Sequence, residues 1–181
     1  MADYKTGKIV FTEETIQART REIGCAISRD FAGQDLILVS VLKGSLYFFA
    51  DLSRAIDLPV QLDFITIGTY PNTTNQQGIV RITRDLDLEI TGRHVLLVED
   101  IIRTGLTTAY LVQTLETRRP ASIQVCTLLL NPEQLMIQVP IAYCGFEIPS
   151  TRLIGYGMDV GEQGRNLPYI AEIVPEKRGK T

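Results

Sequence analysis

The sequence predicts an α/β fold with a doubly wound, mainly parallel sheet, and two features carry that expectation. Residues 36–42 (LILVSVL) and 94–98 (HVLLV) are nearly continuous apolar runs, the pattern of strands buried on both faces of a parallel sheet. Such runs alternate with segments of helical periodicity, and that alternation makes βαβ units. The 181 residues are 45% apolar and 22% charged, ordinary for a globular domain that buries a core without disulfides or structural metal. No repeat or low-complexity linker interrupts the chain, so one domain over 1–181 is expected.

Thr12 has the character of an N-cap, followed by Glu13 and Glu14, whose charges suit a helix N-terminus. Phe11 and Ile16 have the spacing of a hydrophobic staple. Ile16, Ile23 and Ile27 keep helical phase as far as Asp30, and Gly33 closes the turn. The strand at 36–42 is interrupted by Lys43-Gly44-Ser45, after which 46–56 reads as a helix. Residues 60–67 form a second strand. Residues 68–78 (GTYPNTTNQQG) are polar and bounded by Gly, which predicts a mobile loop. A short strand at 79–83 and a charged turn at 85–92 follow. After the strand at 94–98 come a Gly-containing loop and a helix over 107–117. Strands at 123–130, 141–144 and 153–156 complete the pattern.

The net charge of −3 argues against a nucleic-acid partner held by bulk electrostatics. No apolar run is long enough to span a membrane, and the opening MADYKTGK lacks a signal-peptide core, so a cytoplasmic location is expected. Cys25, Cys126 and Cys144 lack metal-ligand spacing and sit among apolar residues, as small core side chains do. His94 reads as a strand-edge residue.

Ligands of such sheets bind beyond the carboxyl ends of the strands, which singles out the residues after Leu42 and Val98. Glu99 and Asp100 end a buried run, and adjacent carboxylates there can accept hydrogen bonds from paired ribose hydroxyls. Thr104, Gly105 and Thr107 can wrap a phosphate with hydroxyl and N–H groups at the start of a helix. Gly105 permits the close approach or positive φ that a larger residue resists. On spacing alone, an acidic strand end with a helix-capping threonine fits equally well.

Residues 95–108, VLLVEDIIRTGLTT, resemble the signature with which type I phosphoribosyltransferases bind 5-phosphoribosyl-1-pyrophosphate (PRPP). The resemblance runs from Asp35 to Val174, and VLKGSLYFFADLSRAIDLP, CGFEIP, GYGMD and RNLP are similar to bacterial hypoxanthine-guanine phosphoribosyltransferases. It implies a small hood formed by the terminal segments, Mg²⁺ as cofactor, and PRPP with a purine-like or other nitrogenous acceptor as substrates. A homodimer or homotetramer is implied too. PRPP contacts then fall to Lys43, Gly44, Glu99, Asp100, Arg103, Thr104, Gly105, Leu106 and Thr107. Lys43-Gly44 resemble the pyrophosphate loop, where the family holds a non-proline cis peptide. Thr69-Tyr70 match a Ser-Tyr pair in a loop that closes over the reacting centre. Asp159 matches a residue that holds Mg²⁺, with Glu99 and Asp100 as further candidates, and Arg165 matches an arginine facing pyrophosphate. Lys43, Tyr70 and Arg165 are thus the implied catalytic groups, with Arg103 at the family's acid/base position.

The base-binding half departs from that pattern. Arg103 replaces an Asp that handles a purine-ring proton; an arginine has no acceptor and stays protonated. Asn131 stands at the purine-reading Lys, and Arg152, before Leu153, at the stacking aromatic. Two guanidinium groups facing the pocket would suit an anionic acceptor other than an ordinary 6-oxopurine. Alternatively they turn outward to acids such as Glu147 or Asp159. A non-catalytic PRPP or nucleotide sensor is a second reading. An RNA-binding regulator of the same fold is a third, disfavoured by the acidic balance.

Overall fold

The alternation of apolar side chains along two neighbouring strands builds the molecule outward on both faces of a sheet. The structure, a computed structural model, describes residues 4–70 and 79–175. Its elements are β1 (Tyr4–Phe11), α1 (Glu13–Asp30), β2 (Leu36–Leu42), α2 (Leu46–Ala55), β3 (Gln61–Tyr70), β4 (Ile79–Arg84) and β5 (His94–Ile102). Then follow α3 (Leu106–Glu116), β6 (Ser122–Leu130), a 3-10 turn (Pro132–Gln134), β7 (Ile141–Glu147), β8 (Leu153–Ile154) and β9 (Ile170–Pro175). On one face Leu36, Leu38, Leu96 and Val98 pack with Ile16, Ile23 and Ile27 of α1 and Phe48 and Leu52 of α2. On the other, Ile37, Val39, Val95 and Leu97 meet Leu111, Val112 and Leu115 of α3. Odd and even positions of one strand therefore feed two separate cores, as strand geometry requires.

The main sheet has the order β4-β3-β2-β5-β6-β7. Every pairing in it is parallel except β3 with β4, at the edge. A second sheet, β1-β9-β8, is antiparallel and forms the hood. The α/β, mainly parallel fold is thus as expected, whereas β1 and β9 are strands that local patterning does not reveal.

Thr12 caps α1, its hydroxyl accepting from Thr15 N at 3.3 Å, and the helix ends at Asp30. β5 runs four residues beyond the expected apolar run, because β6 continues to pair with it through Ile102↔Leu130. β3 likewise extends to Tyr70, held by β4. Tyr156, expected in a strand, instead has φ +47. Cys25 is exposed rather than in the core, because α1 buries the face of Ile16, Ile23 and Ile27 and residue 25 points away from it. Cys126 is buried. His94 opens β5, its Nδ1 2.8 Å from Ser122 Oγ. Of the expected mobile loop, 71–78 lie outside the described residues. No helix among the described residues is long and apolar enough to cross a membrane.

Candidate active site

The parallel strands deliver the candidate residues to the carboxyl ends of the strands. β2 ends at Leu42, and the Leu42–Lys43 peptide is cis. The loop that follows is packed without slack. A Cβ on Gly44 would run into the Asp100 carboxylate, and a Cβ on Gly157 would run into the Gly44 carbonyl. Three segments far apart in sequence therefore meet backbone to side chain, which only glycine permits at 44 and 157.

The phosphate loop follows β5. Gly105, the N-cap of α3, has φ +78, and a Cβ there would lie 2.7 Å from Ile137 O. Both reasons anticipated for a glycine apply. The Thr104 hydroxyl accepts from Leu106 N at 3.4 Å, and its carbonyl accepts from Met136 N at 3.0 Å. The segment after the 3-10 turn thus braces the loop from behind. Glu99, Ile102, Arg103, Thr104, Gly105 and Thr107 are among the residues lining a cleft of about 370 Å³ here.

Glu99 and Asp100 lie on β5 itself. Glu99 is 6% exposed and accepts from the Thr108 hydroxyl at 3.3 Å. Burial pushes its carboxyl well above the usual range, and the neighbouring Asp100 charge adds to this. Asp100 is pushed up to about 6, chiefly by burial; backbone hydrogen bonds and Arg165 oppose the rise, and Asp159 adds to it. Asp100, Asp159 and Arg165 therefore share one field.

At the opposite rim Arg165 donates to Gly157 O at 2.8 Å and pairs with Asp159 at 2.8 Å and Glu162 at 3.1 Å. Lys43 Nζ donates to the other Glu162 oxygen at 2.7 Å. Glu162, which sequence reasoning missed, therefore links the two cations expected to face pyrophosphate. Its signal was the turn sequence Gly161-Glu162-Gln163-Gly164, an acid held three residues before Arg165.

At the acceptor end Asn131 is wholly buried, and its N–H donates to Ile102 O at 2.9 Å. Its Oδ1 accepts from Gln134 N at 3.1 Å, while Nδ2 has no partner among the described residues. Arg103 Nη1 donates to Thr151 O at 3.2 Å. Arg152 is exposed and Leu153 buried. Among the described residues neither Arg103 nor Arg152 pairs with Glu147 or Asp159; the arginine on Asp159 is Arg165. Tyr70 closes β3, and its side chain lies outside the described set.

The oxygen donors Glu99, Asp100 and Asp159 suit a hard cation. The mutual influence of Asp100 and Asp159 is what a divalent ion would relieve. Among the described residues no three acidic, His or Cys side chains form a ready metal cage. Mg²⁺ fits such a site, since it keeps waters and substrate oxygens and takes only one or two carboxylates.

This chain belongs to the phosphoribosyltransferase family: the family described as phosphoribosyl transferase domain matches residues 10–161. Within it, the chain is 47% identical over 173 residues to the hypoxanthine-guanine phosphoribosyltransferase of Mycobacterium avium, covering 92% of this chain and 85% of that protein. It is 38% identical to the Bacillus subtilis enzyme of the same name, covering 97% of each. A crystal structure of a Bacillus anthracis hypoxanthine-guanine phosphoribosyltransferase, with HEPES in its active site, superposes with a TM-score of 0.89 at 40% identity, covering 94% of this chain and all of that one.

Proposed function

We propose that this protein is a Mg²⁺-dependent phosphoribosyltransferase of purine salvage, transferring the phosphoribosyl group of PRPP to a ring nitrogen of a purine-like base. The observation that supports this best is the interlock of Gly44, Asp100 and Gly157 between a phosphate loop and the cations Lys43 and Arg165. Breaking the bond from C1′ to pyrophosphate leaves positive charge on the ribose and negative charge on the leaving group. Lys43, Arg165 and the backbone N–H groups beside Gly44 stabilise that leaving charge. Residues 104–107 hold the 5′-phosphate, Leu106 through its backbone, and Glu99 and Asp100 accept from the ribose hydroxyls. Asp159, with Glu99 and Asp100 beside it, would hold Mg²⁺, which would neutralise charge at pyrophosphate. Asn131, Leu153 and the residues around them take the base, and Tyr70 belongs to the segment that excludes water. We further propose one domain over 1–181, a homodimer or homotetramer, and a cytoplasmic location.

The test is pyrophosphate release from PRPP and Mg²⁺ with hypoxanthine, guanine and xanthine as acceptors. Release with at least one of them is expected. Saturable PRPP binding without release would instead identify a non-catalytic sensor, a reading that Arg103 favours because it cannot take a proton.

A further inference from the structure

Arg103, which lines the cleft at the family's acid/base position, offers donors and no acceptor. On the reading just proposed, we infer that the acceptor binds and reacts as an anion: an oxopurine or related heterocycle whose ring N–H has already ionised.

A neutral base that attacks C1′ through a ring nitrogen must shed an N–H proton during transfer. An enzyme that assists this needs an acceptor within hydrogen-bond reach of that proton. Arg103 provides five N–H donors and no acceptor. Asn131 has both, but its oxygen already accepts from a local backbone N–H. Asn131 Oδ1 caps the 3-10 turn by accepting from Gln134 N at 3.1 Å, leaving Nδ2 buried without a partner among the described residues. The placement of oxygen and nitrogen in that amide follows from chemistry, since a backbone N–H requires an acceptor. The unpartnered group of this wholly buried amide is therefore a donor.

Arg103 is equally unfinished. Its one hydrogen bond among the described residues goes to the neutral Thr151 carbonyl at 3.2 Å, so the side chain reaches from the end of β5 past β6 to the segment after β7. The charged residues on the elements at this end of the sheet are Glu99 and Asp100 on β5, Glu133 in the 3-10 turn, Glu147 at the end of β7, and Arg152. None of the four acids pairs with it. Glu99 lines the same cleft but is tied to Thr108 of α3, on the phosphate side. An anionic ligand gives the guanidinium a charge-assisted bond in place of a long neutral one. The edge formed by a ring nitrogen and an exocyclic oxygen is one that arginine reads with two parallel bonds in nucleic acids.

The step then balances without an enzymic base. The proton leaves to solvent before binding. A ring-nitrogen lone pair forms the bond to C1′ while the C1′–oxygen bond breaks, and its electron pair departs with pyrophosphate.

Two measurements on the intact protein test this. Calorimetric titration of xanthine and of hypoxanthine into protein with Mg²⁺ and pyrophosphate is run in two buffers of different ionisation heat, below each base's pKa. Close to one proton released per base bound is expected; no release overturns the inference. The pH profile of kcat/KM should rise about tenfold per pH unit and break at a pH that moves with each acceptor's own acidity. A single break common to all acceptors would show an enzymic base and overturn it. In Arg103→Asp the proton release should disappear and the break should stop following the acceptor; retention of both in that variant also counts against it. Proton release without pyrophosphate release from PRPP would sink the transferase reading while leaving the anion site standing.

Discussion

Replacing Asp100 with Asn should make the ligand-free protein more stable at neutral pH and a poorer binder of PRPP. Burial is the main reason its carboxyl stands at about 6 rather than 3.8. Folding therefore favours the protonated form. That contribution is complete below 3.8, drains as the pH climbs, and is gone above 6, where a carboxylate is held in a site that disfavours it. At about 1.4 kcal/mol per pH unit, the displacement corresponds to about 3 kcal/mol. Relaxation of this half-buried side chain towards water lowers it, so a gain of roughly 1–3 kcal/mol is expected for the neutral amide at pH 8. For a chain of this size that is a rise in Tm of roughly 2–10 °C. Urea unfolding of both proteins at pH 4, 6 and 8 should show the gap closing at pH 4. A gap that ignores pH, or a variant less stable at pH 8, would refute the idea that a buried charge is maintained here for ligand binding. The accompanying loss is read by calorimetric titration of PRPP with Mg²⁺, where the amide no longer accepts from both ribose hydroxyls.

Three further outcomes are expected. Gly105→Val forces a left-handed conformation that costs an ordinary residue roughly 1–2 kcal/mol and drives a side chain into Ile137 O; PRPP affinity should fall at least about tenfold, with an unchanged circular dichroism spectrum. An unaltered affinity would remove the phosphate from this loop. Glu162→Gln frees Lys43 and Arg165 from a competing carboxylate, so pyrophosphate should bind several-fold more tightly in direct titration, and an unchanged affinity would mean that the acid does not compete. Chelating Mg²⁺ with EDTA should weaken PRPP binding, and equal affinity with and without chelator would show that Asp159 serves only its contacts with Arg165 and Glu162 N.

What was legible in the sequence follows from how local its causes are. The strand 36–42 and the helix from Thr12 to Asp30 are marked by residues that are themselves buried or capping, and both appear where expected. β1 and β9 escape because YKTGKIVF and IAEIVP carry no clean alternation; each is a strand only through its distant partner. β5 outlasts its apolar run for the same reason, since β6 keeps pairing alongside Glu99. Within the site, Lys43-Gly44 and 99–107 are readable as continuous stretches, whereas Glu162 meets Lys43 from 119 residues away. The use of the Asn131 oxygen as a cap had a local sign. Asn followed by Pro is an N-cap with proline at the first helical position, which commits the side-chain oxygen.

The abutment of Gly44, Asp100 and Gly157 also bears on how such a protein can diverge. Where atoms already touch, any side chain added at position 44 or 157 displaces the neighbouring segment, so that half of the cleft drifts only as a block. Residues 103, 131 and 152 take no part in that contact and can be exchanged while it stays intact. New acceptor chemistry can therefore arise by stepwise replacement at one side of an inherited scaffold.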